Sequence, residues 1–234
     1  MEVPGSIILA ASLAAAVLFN AYLFWRYFWF FRNPPRKTPE GENIVSPADG
    51  RVVYVKRVQA GEGVISIKNR KPASISEIVR EDLDRINVLI GVFMSPFDVH
   101  YNRVPLSGRV EFVRHRPAEK KNRHMTSMHW RSMLGRLPLY ANSPHISENE
   151  RTVTKIAGAF KGRSLSCHIV QIAGGSVRGI ESYVCEGMRV EKGQPLGMIR
   201  IGSQVDLVVP WDPPMEITVS PGDRVRAGET VLIK

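Results

Sequence analysis

From Ile44 to the C-terminus the apolar residues come in short β-branched runs broken by Gly and Pro, the pattern of strands rather than helices. The runs predict strands at Arg51–Val58, Gly63–Lys68, Asn87–Phe93, Gly108–Val113, Thr152–Phe160, Ser166–Ile172 and Ser182–Val184. Four more follow at Gly197–Ile201, Val205–Val209, Glu216–Val219 and Thr230–Ile233. One helix is predicted, from Ser74 or Ser76 to Arg85, with serine at its cap and Glu77 in its first turn. The expected fold is mainly β, a β-rich α+β domain of sandwich or barrel type.

The same pattern contains a repeat. Val184-Cys-Glu-Gly187-Met-Arg-Val190-Glu-Lys-Gly193-Gln-Pro-Leu196 matches Val219-Ser-Pro-Gly222-Asp-Arg-Val225-Arg-Ala-Gly228-Glu-Thr-Val231, with valine and glycine alternating every third residue. This spacing suits a strand–turn–strand corner used twice. A weaker echo pairs Pro47-Ala-Asp-Gly50-Arg-Val52 with Pro105-Leu-Ser-Gly108-Arg-Val110. Such corners resemble the half-units of biotinyl and lipoyl carrier domains, so a non-catalytic carrier module is one alternative. A carrier needs a lysine exposed on a tight hairpin, whereas Lys192 lies inside the corner itself.

The N-terminus has a different pattern. Ile7 to Trp25 carries no charge, and Arg26 then sits among Tyr22, Trp25, Tyr27, Phe28, Trp29, Phe30 and Phe31. An uncharged run of this length can just span a hydrocarbon core of roughly 30 Å, and the aromatic cluster resembles an interfacial belt. Glu2 near the start and an aromatic, then basic, end do not fit a cleaved signal peptide. Residues 1–32 therefore read as a retained membrane anchor, and Asn33-Pro34-Pro35 opens a stiff linker over 33–43. Arg32, Arg36 and Lys37 place the remaining domain, 44–234, on the cytoplasmic side of the cell membrane by the positive-inside rule.

Charge narrows the partners. A formal net charge of +10 on 234 residues asks for an anionic one, nucleic acid or acidic lipid. The chain has no helix-turn-helix, RRM or zinc pattern, so nucleic acid is not expected. Between Arg109 and Arg136, basic residues including Arg114, Arg116, Lys121, Arg123, His124 and Arg131 interleave with Met125, Met128, Trp130, Met133 and Leu134. That mixture suits a segment lying on anionic headgroups and equally suits a solvated basic loop. His124 and His129 lack the spacing of a metal motif, and no metal is expected. The two cysteines, Cys167 and Cys185, read as reduced core residues in a reducing compartment.

Candidate chemistry centres on Ile169-Val170-Gln171-Ile172-Ala173-Gly174-Gly175-Ser176, an apolar strand ending on two glycines and a serine. The Gly175 carbonyl is sterically open, and the Ser176 hydroxyl next to it can attack it from within the chain. A hydroxyl nucleophile needs a base, and the base needs orientation. His100, in Ser95-Pro-Phe-Asp98-Val-His100-Tyr-Asn102-Arg103, and Asp49, in Ser46-Pro-Ala-Asp49-Gly50, could supply them. Each alone also fits a core histidine or a turn aspartate. A membrane-anchored serine hydrolase would use the same three residues, but the GxSxG elbow is missing.

Together and in this order, these segments closely resemble the short, bacterial and archaeal form of the phosphatidylserine decarboxylase family. Ser147-Glu148-Asn149-Glu150-Arg151 is similar to that family's Asn-Glu-Arg segment, and the resemblance covers roughly residues 44–210. It implies a self-cleaving proenzyme whose cofactor is a covalent pyruvoyl group made from Ser176. His100 would take the Ser176 proton, with Asp49 orienting the histidine. The hydroxyl oxygen would then attack the Gly175 carbonyl to form an ester. β-Elimination and loss of ammonia would leave a β chain 1–175 and an α chain 176–234 held in one fold. The implied reaction converts phosphatidylserine or archaetidylserine to the ethanolamine lipid and carbon dioxide through a Schiff base to the pyruvoyl group, with His100 returning the proton. Arg103 and Asn102 are the candidate substrate-binding residues, Arg103 through its bidentate fork. Longer members carry a second histidine where this chain has Arg103, and Leu-Gly-Ser-Thr where it has Gly174-Gly175-Ser176-Val177. The sequence leaves a homo-oligomer open.

Overall fold

The computed structural model describes residues 4–59, 63–65, 73–74, 85–118, 121–141, 143–175, 179–200 and 202–234. Ser176, most of the helix predicted before Arg85 and the end of the strand predicted over Gly63–Lys68 lie outside the described residues. The chain forms two compact units, Met1–Pro34 and Pro35–Lys234.

In the first unit α1, Gly5–Phe24, runs into a π-helical turn at Trp25–Trp29. Together they make one helix long and apolar enough to cross a membrane. At 1.5 Å per residue it spans roughly 37 Å. Within it Asn20 donates its amide to the Ala16 carbonyl at 2.8 Å, the internal pairing a polar group needs where water is absent. At the helix end Arg32 stacks on the Trp29 ring, 4.3 Å from its centroid.

The second unit is mainly β. Its elements are β1 (Ile44–Val45), β2 (Gly50–Val58), β3 (Gly63–Ile65), β4 (Ala73–Ser74), β5 (Asn87–Met94), β6 (Tyr101–Arg103) and β7 (Gly108–Arg116). Two helices follow, α2 (Thr126–Leu134) and α3 (His145–Glu148). After them come β8 (Arg151–Phe160), β9 (Arg163–Ile172), β10 (Ile180–Ser182), β11 (Arg189–Val190), β12 (Pro195–Ile199), β13 (Ser203–Pro210), β14 (Arg224–Val225) and β15 (Val231–Ile233). Eight strands form one antiparallel sheet in the order β11-β7-β8-β9-β13-β5-β2-β14, curled into a half-barrel.

The central strands are long apolar runs buried on both faces, which is why they were legible from their composition. One face carries Val92, Ile169, Val205 and Leu207 against the corner segments. The other carries Leu89, Phe93, Val170 and Val208 against Met125, Met128, Leu139 and Ile146 of the 121–150 excursion. A polar knot is buried in that second face. Tyr54 donates to Asp206 Oδ1 at 2.8 Å, Gln204 donates to the same oxygen at 2.7 Å, and His145 Nε2 lies 3.2 Å from Gln204 Oε1. Burial raises the Asp206 carboxyl to about 6 and lowers His145 to about 4, so the histidine is neutral at physiological pH.

The repeat is a symmetry of the fold. Gly187 donates to the Val110 carbonyl and Gly222 to the Val52 carbonyl, each at 2.8 Å. Gly193 and Gly228 donate in the same way to Val104 and Ser46. The strong repeat therefore pairs with the weak one, and each corner closes one edge of the sheet through β11 on β7 or β14 on β2. All four corner glycines take positive φ, from +73° to +105°, which is what the glycine spacing encodes. Lys192 is tied down inside its corner, donating to Gly41 O and Asn43 Oδ1 at 2.8 and 2.9 Å, which removes it as a carrier lysine.

Cys185, expected in the core, is exposed. Three predicted strands shift, Gly197–Ile201 beginning two residues earlier as β12. Ser182–Val184 starts earlier, as β10, because the Ser182 hydroxyl donates to the Val184 carbonyl and bends the chain there. Glu216–Val219 shrinks to a single bridge, Ile217 to Ile233, before the turn at Ser220-Pro221.

Candidate active site

β9 carries the chain to Ala173, Gly174 and Gly175 at the end of the sheet, and the Asn149-Glu150-Arg151 segment holds that end. Asn149 Nδ2 donates to the Ala173 carbonyl at 2.7 Å, and the Ala173 amide donates to the Glu150 carbonyl at 3.0 Å. The same asparagine fixes the 121–124 segment, accepting from Arg123 N at 2.7 Å and donating to Arg123 O at 2.9 Å. One buried side chain thus joins the strand end to the residue before His124.

The consequence is a close approach at Gly175. A Cβ placed there would lie 2.7 Å from both the His124 ring Cγ and the His124 backbone nitrogen, and 2.8 Å from Nδ1. Only glycine fits. His124 is therefore a functional candidate that the sequence shows only as one of the basic residues between Arg109 and Arg136; the signal is tertiary, since nothing in the spacing of residues 124 and 175 indicates contact.

The two other predicted site segments converge on the same region. Gln171 of β9 donates to Asn102 Oδ1 at 2.8 Å, and Asn102 Nδ2 approaches Met94 Sδ at 3.5 Å. β6 begins one residue after His100, so this bond couples the histidine loop to the strand bearing Gly174-Gly175. His100 is fully buried, with Nδ1 3.0 Å from the Asp98 carbonyl. A carbonyl only accepts, so Nδ1 carries the proton and Nε2 is left as the basic nitrogen. The loop itself is fixed by Ser95 N donating to Asp98 Oδ2 at 2.8 Å.

Asp49 sits on the neighbouring turn, clamped by Arg103 N to Pro47 O and by Gly228 N to Ser46 O. Its carboxylate accepts from Arg36 Nη2 at 2.9 Å and from Ala227 N at 2.7 Å. Burial raises its carboxyl above the ordinary value, the Ala227 amide and the Arg36 guanidinium pull it down, and the nearby Asp98 charge adds to the rise. These described bonds do not join Asp49 to His100. The histidine is oriented by the Asp98 carbonyl, and Asp49 belongs to a charge cluster with Arg36, Glu229 and Arg103. Arg103 is buried and donates Nη1 to Gly193 O at 2.8 Å, so it and Asn102 both spend their described hydrogen bonds inside the protein.

This is a strand-end glycine under a histidine, at the same end of the sheet as the His100 loop and the Asp49 turn. The comparison with known proteins assigns the class. The model of the phosphatidylserine decarboxylase family matches residues 23–233. The chain belongs to that family and is a decarboxylase. It is 40% identical over 214 residues to a protein of Methanopyrus kandleri named "Putative archaetidylserine decarboxylase proenzyme", covering 88% of this chain and 80% of that one. It is 34% identical over 229 residues to the phosphatidylserine decarboxylase proenzyme of Pelobacter propionicus, covering 95% and 85%. With the proenzyme of that name from Chlorobium limicola it shares 30% over 223 residues, covering 95% and 85%.

Proposed function

We propose that this chain is a self-cleaving proenzyme that decarboxylates the serine headgroup of an anionic phospholipid, with a pyruvoyl group formed at Ser176. The observation that carries the reading is the hydrogen bond from Gln171 to Asn102, which ties the buried His100 loop to the strand leading into Gly175-Ser176. The residues fit the group: the close approach at Gly175 tolerates no side chain, and the strand end is fixed from outside by Asn149. His100 Nε2 accepts the Ser176 proton as the hydroxyl oxygen bonds to the Gly175 carbonyl carbon. The Gly175–Ser176 C–N bond then breaks, and the proton passes to the departing nitrogen. Once formed, the pyruvoyl carbonyl supplies the electron sink that decarboxylation needs. His100, shut away from water, holds the proton that the product carbon takes up. The cleaved chains stay together because β9 lies between β8 and β13, on either side of the cut in sequence.

The domain partition we propose is an anchor over 1–32, a linker over 33–43 and the catalytic domain over 44–234, on the cytoplasmic side of the membrane. A second membrane contact is provided by α2. Trp130, Met133, Leu134 and Leu137 are all more than half exposed, beside Arg131 and Arg136. Apolar side chains among cations suit an anionic lipid surface, where each basic residue contributes about 1 kcal/mol. Trp130 fluorescence, taken as wild type minus Trp130→Phe, should be quenched by brominated acyl chains in anionic proteoliposomes. Equal emission with and without bromine would place α2 in water.

The test of the main reading is a denaturing intact-mass spectrum of the freshly purified chain. Two species meeting at Gly175/Ser176 are expected, the smaller lighter by one ammonia than the hydrolytic fragment. A single full-length mass from folded protein would sink it.

A further inference from the structure

A cavity of about 350 Å³ opens between the start of β2 at Gly50 and Arg51, the Ser95–Asp98 loop and α2. Its wall includes Arg51, Arg224 and His129. Arg51 and Arg224 are direct cross-strand partners on β2 and β14. Like charges placed opposite each other in a sheet repel, and an anion between them relieves that repulsion. Arg51 is anchored through Nη1 to the Gly222 carbonyl at 2.7 Å, while Arg224 is exposed. His129 also lines the wall, and its Nδ1 is buried with no hydrogen-bond partner among the described residues. The acid in the wall, Asp98, already accepts the Ser95 amide and holds His100 through its carbonyl. Two arginines against one aspartate leave the wall net positive. Its mouth is apolar, with Phe97 65% and Met133 63% exposed.

We propose that this cavity is the subsite for the phosphodiester of the lipid headgroup, held by Arg51, Arg224 and His129; the assignment rests on the function proposed above. Phe97 and Met133 lie at bilayer level, the phosphate enters beneath them between the arginines, and the serine end points past Asp98 toward the His100 loop. The fold supplies its own control. The repeat places an equivalent cross-strand pair, Arg109 with Arg189, at the opposite edge of the sheet, where the Ser95–Asp98 loop is not its neighbour. Net charge and sheet repulsion are alike at the two edges, so only a site distinguishes them.

The test compares full-length wild type with Arg224→Ala, His129→Gln and the control Arg189→Ala. The first readout is ³¹P line broadening of glycerophosphocholine, a phosphodiester whose blocked amine cannot condense with a carbonyl, and of inorganic phosphate. The second is KM and kcat for phosphatidylserine in neutral detergent micelles, with intact mass confirming that each chain has cleaved. Glycerophosphocholine broadening should persist in wild type and Arg189→Ala and vanish in the two cavity variants. KM should rise about 10-fold or more in those two, as expected for losing one charge-assisted contact, with kcat nearly unchanged. Inorganic phosphate broadening lost in the same variants shows that free phosphate shares the subsite; broadening by the diester alone assigns it to the lipid. Unaltered binding and KM in Arg224→Ala and His129→Gln would overturn the proposal, as would an equal loss in Arg189→Ala. A wild-type chain that never cleaves would sink the self-cleaving, pyruvoyl reading instead, leaving the ³¹P result to stand or fall separately.

Discussion

Ser176→Ala should leave one uncut chain of 234 residues with no decarboxylase activity, in a fold that is otherwise intact. The effect is all-or-none because the hydroxyl is asked to do two things. It is the nucleophile that opens the Gly175–Ser176 amide, and its own carbons become the reactive carbonyl. Alanine has no oxygen to attack with and cannot eliminate to dehydroalanine. His100→Ala should differ in kind: Ser176 keeps its hydroxyl, and only proton transfer is lost. General-base catalysis contributes typically 10²- to 10⁴-fold, so cleavage should slow by that order rather than stop. A time course of intact mass at fixed pH separates the two. A cleaved or active Ser176→Ala chain would end the pyruvoyl reading. Full-speed cleavage of His100→Ala would move the base elsewhere, even though Nδ1 is fixed on the Asp98 carbonyl.

What the sequence made legible follows from where the information is local. β5, β9 and β13 are apolar runs long enough to be recognised from composition, and each falls within a few residues of its predicted span. The corners were legible because positive φ demands glycine at fixed spacing, and the spacing recurs. β1, β11 and β14 are two residues long and exist only because a partner strand lies beside them, so no periodicity could mark them. β6, at three residues, carries no periodicity of its own either. α2 buries only Met128, so its apolar side chains follow a surface rather than a core stripe.

The site divides the same way. The strand end, the histidine loop and the aspartate turn carry recognisable residues. The pairing of His100 with the Asp98 carbonyl, and of Asp49 with Arg36 and Ala227, depends on which turns meet in space. Residue type suggested a triad-like relay from Asp49 to His100; the described bonds route the orientation of the histidine through its own loop. Arg36 was read only as a charge flanking the membrane segment, yet it is the cation that balances Asp49 and Glu229.

Gly175→Ala is expected to have the second-largest effect, slowing self-cleavage about 100-fold or more while leaving the catalytic domain folded. The effect is steric and specific to this position. The added methyl would meet His124 at three atoms, and one of them is backbone nitrogen, which cannot swing aside as a ring can. The His124 backbone is itself pinned, because Asn149 bonds both the amide and the carbonyl of Arg123 before it. Gly175 must therefore move instead, and its carbonyl is the electrophile. A displacement of about 1 Å at a reacting centre costs on the order of 10²-fold in rate. The fold should survive because the Asn149 bond to Ala173 and the β9 ladder lie before the substitution. Circular dichroism and the thermal midpoint should be close to wild type. Intact mass over hours should show precursor persisting where wild type is fully cut. The double variant Gly175→Ala/His124→Ala removes the two ring contacts but keeps the backbone one, so it should recover only part of the rate. Full recovery would mean that the ring alone sets the approach, and unimpaired cleavage of Gly175→Ala would mean that His124 does not position the scissile carbonyl.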